Sequence, residues 1–282
     1  MDKQVCLITG SSRGIGFYTA LGLARQGAHV ILVGHHQERG SKALQRLEAE
    51  ASAGTGEFCL ADLSTLAGMR HLVEVVKQRH DRLDVLVNNV GGFFLTRQET
   101  VDGLEMTFAL DHMSYFVVTN LLLDLLQRSA PARIVNVSSE SHRRAKMAFG
   151  NLQLERGYTG LRAYSQAKLA NLLFTYELSR RLPGTEITVN ALDPGFVDTH
   201  IGSQNPIVRP IMAVLHWLFA KSAEEGAETP IYLARSPEVE GVTAKYYIDQ
   251  EPVQSSPDSY DEQAAERLWR VSKELGQIGA KK

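Results

Sequence analysis

Short apolar runs rich in β-branched residues alternate along the chain with longer stretches of helical periodicity, and no other feature restricts the fold as much. The runs are QVCLIT, HVILVG, EFCLA, DVLVNN, RIVNVSS, ITVNALD and, near the end, AKYYI. Helical patterns fall near 14–26, 38–52, 64–80, 101–129, 162–182, 222–235 and 259–275. The alternation predicts an α/β chain: a doubly wound sheet of about seven parallel strands with helices on both faces. Such sheets take ligands outside the carboxyl ends of their strands, where strand order reverses. The informative residues should therefore follow the runs, as do Gly10 to Gly16, His35 and His36, Asp62, Asn88 to Gly91, Ser138 and Ser139, and Pro194 to Thr199.

The 282 residues show no repeat, low-complexity tract or linker, so residues 1–282 read as one domain, with a substrate flap near 200–221 and a C-terminal extension near 250–282. Within that extension EPVQSSPDSY reads as a loop and GQIGAKK as a frayed tail. A net formal charge of −2 gives no footprint for nucleic acid or for an anionic membrane surface. The two cysteines, Cys6 and Cys59, lie in apolar runs with no second thiol near either, which points to buried thiols, an intracellular setting and no metal site. The opening residues show no leader, and the most apolar stretch, PIMAVLHWLFA, is too short to span a bilayer and contains His216. It is either a surface-lying segment or the flap of a soluble protein; without basic residues on both flanks the flap reading is preferred. A cytoplasmic protein is expected.

The first turn, TGSSRGIG, sets Gly10, Gly14 and Gly16 between a strand and a helix. Glycines there permit a tight turn and close approach of backbone N–H groups to a pyrophosphate, which the helix N-terminus attracts. The order strand, turn, helix, strand favours nucleotide binding over a merely structural turn. NAD sites place an acid at the end of the second strand to hold the ribose hydroxyls. This chain reads VGHHQER, with no carboxylate before Glu38, with Arg13 in the loop and with His35 ending the strand, so NADP(H) is expected over NAD(H). His35 reads equally well as a solvated loop residue.

AYSQAKLAN sets Tyr164 and Lys168 four residues apart, on one face of a helix. A phenol is a poor base at neutral pH, and a neighbouring ammonium favours its ionised form. Alone, such a pair is common by chance. It gains meaning beside IVNVSSESH, where Ser139 follows the fifth run and can donate to a substrate oxygen. One further residue stands out in LEMTFALDHMSYFVVTNLLLDLL: Asp111 falls on the apolar stripe formed by Leu104, Phe108, Tyr115, Val118, Leu122 and Leu125. A buried ionised acid is costly unless it is paired.

With TGSSRGIG, ADL around Asp62, NNVG at 88–91, VNVSS, YSQAK and DPGFVDT in this order over nearly the whole chain, the sequence resembles a short-chain dehydrogenase/reductase. The resemblance implies a Rossmann-type fold and roles residue by residue. Ser139 would orient and polarise the carbonyl, Tyr164 would be the general acid/base, and Lys168 would hold the nicotinamide ribose and tune Tyr164. Gly10, Ser12, Arg13, Gly14, Ile15 and Gly16 would form the pyrophosphate loop, and Asp62 and Leu63 the adenine contact. Asn89, Val90 and Gly91 would make the ribose-side turn, where Val90 replaces a usual alanine. Pro194, Gly195, Val197 and Thr199 would form the carboxamide segment. Asp111 matches a position usually held by an asparagine that anchors a relay water beside the lysine.

The 24 residues between Ser139 and Tyr164 and the ending KYYIDQEPVQSSPDSYDEQAAERLWRVSKELG are similar to the retinol-dehydrogenase-like branch, although no anchor like that of many of its members is seen. The expectation is a reductase or dehydrogenase for a hydrophobic aldehyde, ketone or alcohol. Phe93, Phe94, Phe149, Phe196 and Trp217 are candidates for the substrate wall. The basic run SHRRAK at 141–146 is either a clamp for an anionic ligand or, preferably, a solvated loop face. The family's common dimer would use the helices carrying Asp111 and Tyr164. A competing reading is a nucleotide-binding regulatory protein with weak turnover because of Asp111. Under the relay reading, Asp111→Asn should keep or raise activity.

Overall fold

The computed structural model describes residues 3–195 and 222–279. Eight strands form one sheet: β1 Val5–Ile8, β2 His29–Gly34, β3 Thr55–Leu60, β4 Val85–Asn88, β5 Ala132–Val137, β6 Ile187–Asp193, β7 Tyr246–Ile248 and β8 Glu251–Val253. Their order is β3-β2-β1-β4-β5-β6-β7-β8, so the order reverses between β1 and β4. Seven strands are parallel, and only β8 runs antiparallel, against β7.

Alternate residues of the central strands enter different cores, which is why the runs are apolar throughout. Leu7, Ile31, Leu86 and Ile134 face a core built with the helices α3 (Leu66–Arg79), α4 (Ser114–Arg128), α5 (Gly160–Arg181) and α7 (Glu262–Leu275). Ile8, Leu32, Val87 and Val135 face a core built with α1 (Gly14–Arg25), α2 (Gln37–Glu50) and α6 (Glu228–Arg235). Both cysteines are buried free thiols, and burial pushes the Cys6 thiol up to about 12.

Two expectations need correction. The stretch read as a loop, EPVQSSPDSY, begins with β8, joined to β7 through Asp249 and Gln250, both at positive φ (52° and 66°). That is a two-residue type I′ hairpin turn without the asparagine–glycine pair that announces one. Pro252 is tolerated there because β8 is an edge strand. The helix expected over 101–129 is also interrupted: a helical turn at Met106–Phe108 leads into a π-helical turn at Ala109–Met113 before α4 begins. Asp111 sits on that π turn.

Candidate active site

The loops after β1, β4, β5 and β6 meet at the carboxyl edge of the sheet, on either side of the order reversal. After β1, Gly10 (φ 67°) packs so closely on Val90 that a Cβ would lie 2.8 Å from its Cα. A Cβ on Gly16 would lie 2.6 Å from the Gly10 carbonyl oxygen, so the helix can start this close only with glycine. The N-cap residue of α1, Arg13, makes no side-chain capping bond, and the first turn has no acid. By contrast α2, α3, α5 and α7 are capped by His36, Thr65, Thr159 and Asp261. Beside Gly14 (φ 59°) there is open space. An uncapped helix start behind a glycine cradle fits the pyrophosphate of a dinucleotide.

The β4 turn is tied to this loop by a residue the sequence reading passed over. Thr9 Oγ1 accepts the N–H groups of Asn89 (2.9 Å) and Val90 (3.0 Å), and its carbonyl accepts from Asn89 Nδ2 at 2.8 Å. Ser11 likewise joins β1 to β2, accepting from Val33 N at 2.8 Å. Ser12 and Ile15 are partly exposed in the cradle, and Arg13 and His35 are exposed on its rim. Asp62, at the end of β3, is exposed and held by Ser64, whereas the Leu63 side chain is buried in the core and leaves only its backbone to a ligand. Arg39, in the first turn of α2, was not anticipated: its Nε is buried without a hydrogen-bond partner.

Ser139, Tyr164, Lys168 and Asp111 converge. The Tyr164 phenol faces Ser139, and Lys168 Nζ lies 5.2 Å from the Tyr164 ring centre. Lys168 Nζ also donates to the Val137 carbonyl at 3.3 Å and lies 3.3 Å from Asp111 Oδ2. The Asp111 contact is an ion pair rather than an aligned hydrogen bond, since Oδ2 has no hydrogen-bond partner. Asp111 Oδ1 accepts from Gly92 N at 2.7 Å, so both carboxylate oxygens face a donor. The Val137 carbonyl additionally accepts from Tyr115 Oη (3.3 Å) and Asn171 Nδ2 (3.4 Å), fixing the lysine's anchor. Gly91 lets Asp111 approach: a Cβ there would lie 3.0 Å from Oδ2.

Burial and charge set the protonation states. Desolvation raises the Asp111 pKa to about 6, although Lys168 and the Gly92 N–H pull it down. Desolvation lowers that of Lys168, but Tyr115, Asp111 and Tyr164 together outweigh it and hold the ammonium charged well above its ordinary range. Tyr164 is raised above an ordinary phenol, first by desolvation and then by Asp111, with Lys168 and Ser139 opposing. It is only partly exposed to solvent and packs edge-on against Phe93, at 5.8 Å between ring centres.

Two further residues position the serine turn. Asp193, the last residue of β6, accepts from Glu140 N (2.7 Å) and Gly195 N (2.8 Å), binding the Ser139 turn to the Pro194–Gly195 turn. An acid closing an apolar strand was the visible signal for it. His142 Nδ1 lies 2.6 Å from the Ser139 carbonyl, and its Nε2 accepts from Ser256 N at 3.0 Å, so the proton is on Nδ1. Val197, Thr199, Phe196, Trp217 and the flap near 200–221 lie outside the described residues. Phe149 carries Arg267 over its ring at 4.4 Å, next to α7. Away from the cleft, His29, Glu57 and His80 bring their ligand atoms within 4.8 Å of one another, a grouping the sequence did not suggest, with Arg79 3.0 Å from Glu57.

A dinucleotide cradle beside a serine, a tyrosine and a lysine defines a nicotinamide-linked oxidoreductase. The sequence profile of the short chain dehydrogenase family matches residues 4–206, and the chain belongs to that family. It is 41% identical to human retinol dehydrogenase 14 over 96% of this chain and 86% of the relative, and 36% identical to human polyprenol dehydrogenase over 96% and 84%. A solved structure, the RhlG/NADP active-site complex of Pseudomonas aeruginosa, matches with a TM-score of 0.69 at 30% identity, covering 86% of this chain and 93% of that one. The cytoplasmic placement is corrected by these relatives: retinol and polyprenol, for which they are named, are membrane-resident lipids. Among the described residues no helix is long and apolar enough to cross a membrane, but that property does not define a compartment.

Proposed function

We propose that this oxidoreductase transfers a hydride between NADP(H) and the carbonyl or alcohol carbon of a hydrophobic small molecule, with Tyr164 as general acid/base. The observation that carries the reading is the locked cation: Lys168 Nζ, held between Asp111 Oδ2 and the Val137 carbonyl, lies over the phenol that must exchange the proton. The nicotinamide, when bound, supplies or accepts the hydride. In the reducing direction, Ser139 Oγ and Tyr164 Oη donate to the carbonyl oxygen and polarise it. As the carbon gains the hydride, the Tyr164 O–H bond breaks and its proton passes to the oxygen, leaving a phenolate stabilised by Lys168. Because burial keeps Tyr164 protonated at neutral pH, the site is set for reduction; oxidation needs the phenolate and gains as pH rises.

Preference for the phosphorylated cofactor is supported by the missing carboxylate at the end of β2, by Arg13 and His35 on the rim and by the unpartnered Nε of Arg39. Phe93 and Phe94 support an apolar substrate, as do the names of the relatives, which point to lipid alcohols and aldehydes. The regulatory-protein alternative rested on Asp111, and the two contacts of that carboxylate give it a place within the array instead. The test is to follow NADPH and NADH oxidation with a panel of apolar aldehydes and ketones. Turnover with NADPH, faster than with NADH, is expected; no turnover with any compound refutes the proposal.

A further inference from the structure

The basic run at 141–146 divides in the structure. Arg143 pairs with Glu140 at 2.9 Å and donates to the Gln254 carbonyl, a structural use. Arg144 and Lys146 are exposed, and they line a cavity of about 500 Å³ whose other wall is the first turns of α5. Arg162 of α5 supplies a third cation; its Nη1 is oriented by the Gly157 carbonyl at 3.0 Å. No acidic side chain is among the residues that line the cavity, and no carboxylate among the described residues pairs with Arg144, Lys146 or Arg162.

Two independent features point to an anion rather than to a solvated charged face. The cavity lies at the N-terminus of a 22-residue helix, whose dipole favours negative charge; Thr159 Oγ1 takes the Arg162 N–H, and the N–H groups of Gly160 and Leu161 have no partner within the helix. Ser165, which also lines it, is 2% exposed, yet its Oγ has no hydrogen-bond partner. Buried hydroxyls are normally satisfied, and this one is a donor without an acceptor. Leu161 and Ser165 are one helical turn apart, as are Tyr164 and Lys168, and the two pairs lie on different faces of α5. The cavity is therefore distinct from the catalytic cleft.

We infer that this cavity binds a phosphate group, with Arg144, Lys146 and Arg162 supplying charge-assisted bonds and Ser165 Oγ a further donor. The group is carried either by a soluble molecule or by a phospholipid head. Its walls are the segment that follows the Ser139 turn and the helical turn that carries Tyr164, so an occupant pins both sides of the proposed catalytic pair.

The test titrates inorganic phosphate, against chloride at equal ionic strength, into the full chain by calorimetry, and in a second arm measures co-sedimentation with phosphatidylcholine vesicles with and without phosphatidic acid. The same measurements are made on Arg144→Gln/Lys146→Gln/Arg162→Gln and on Ser165→Ala. Binding of free phosphate that the triple variant weakens about tenfold or more assigns a soluble ligand. Binding only to vesicles containing phosphatidic acid, lost in the same variant, assigns a lipid head. Ser165→Ala weakens either by a few-fold, and NADPH binding, the control for folding and for phosphate at the cofactor loop, stays unchanged. Should the triple variant lose NADPH binding, Lys146→Gln alone decides. Phosphate or vesicle binding that survives the substitutions, or absence of both, overturns the inference.

Discussion

Replacing Asp111 with asparagine removes one charge and almost no volume, so its effect isolates what the carboxylate does. Oδ1 accepts from Gly92 N and Oδ2 faces Lys168 Nζ, so an amide can satisfy one donor only by turning its NH₂ toward the other. The oxygen placed on Gly92 leaves –NH₂ against an ammonium; the reverse leaves two N–H groups opposed. Lys168 is 3% exposed, and breaking a buried pair by removing one partner costs about 3–5 kcal/mol. Part of this is recovered because the Asp111 carboxylate, its pKa raised to about 6, is itself desolvated, so about 3 kcal/mol is the expected net loss. With an m-value of about 3 kcal/mol/M, the urea midpoint should fall by about 1 M. Asp111 also opposes ionisation of Tyr164, so the lost charge by itself favours the phenolate; the expected fall in kcat/KM for reduction, at least about tenfold, comes instead from Lys168 Nζ losing the partner that holds it over the ring. In the wild type, Asp111 protonates as pH falls through about 6, so an acid limb in the rate profile is expected there and should vanish in the variant. This reverses the direction a relay asparagine suggests. An unchanged midpoint together with an unchanged pH profile would show that the carboxylate does not hold Lys168.

Gly16→Ala should weaken NADPH binding about tenfold or more, because its Cβ meets the backbone at the Gly10 carbonyl and Ser11 Cα as well as Asn89 Nδ2; fluorescence titration of the cofactor checks it. Arg39→Gln and Arg13→Gln should each raise KM for NADPH several-fold while leaving KM for NADH within about twofold, in steady-state kinetics. His112, buried and bonded to Ser272 at 2.9 Å, is held neutral down to about 4 against an ordinary 6.5. The folded state therefore binds fewer protons than the unfolded one between these values, so stability present above pH 6.5 is lost as pH falls toward 4, by up to about 3 kcal/mol. Urea melts across that range should show the slope, and His112→Gln should flatten it.

The parallel sheet was legible because covered strands are apolar on both faces, and β1 to β7 lie where the runs stand. β8 escaped notice because three exposed residues, one of them proline, follow a turn whose positive-φ residues are not glycine. The π turn under Asp111 has no periodic signature, for one extra residue in a helix leaves the apolar stripe nearly intact. Ser139, Tyr164, Lys168 and the glycine loop were readable as strand-end and i, i+4 placements. Thr9 was not, because its role lies in a bond to distant Asn89; Asp193 showed as an acid closing a strand, but not its hold on Glu140; and Arg39 was not, because only the fold buries its Nε without a partner. The Val137 carbonyl, which anchors Lys168, belongs to the backbone and leaves no trace in residue type. SHRRAK gave its charge but not its division, since only the fold separates Arg143 on Glu140 from Arg144 and Lys146 at a cavity.

If Tyr164 moves the proton while Lys168 sustains it, Tyr164→Phe removes that step alone, because the ring and its packing on Phe93 remain. Single-turnover reduction of an apolar aldehyde by NADPH, measured beside the NADPH dissociation constant, should show a rate lowered by at least about a thousandfold with cofactor affinity unchanged within about threefold. A variant that reduces the aldehyde within tenfold of the wild-type rate would contradict the account.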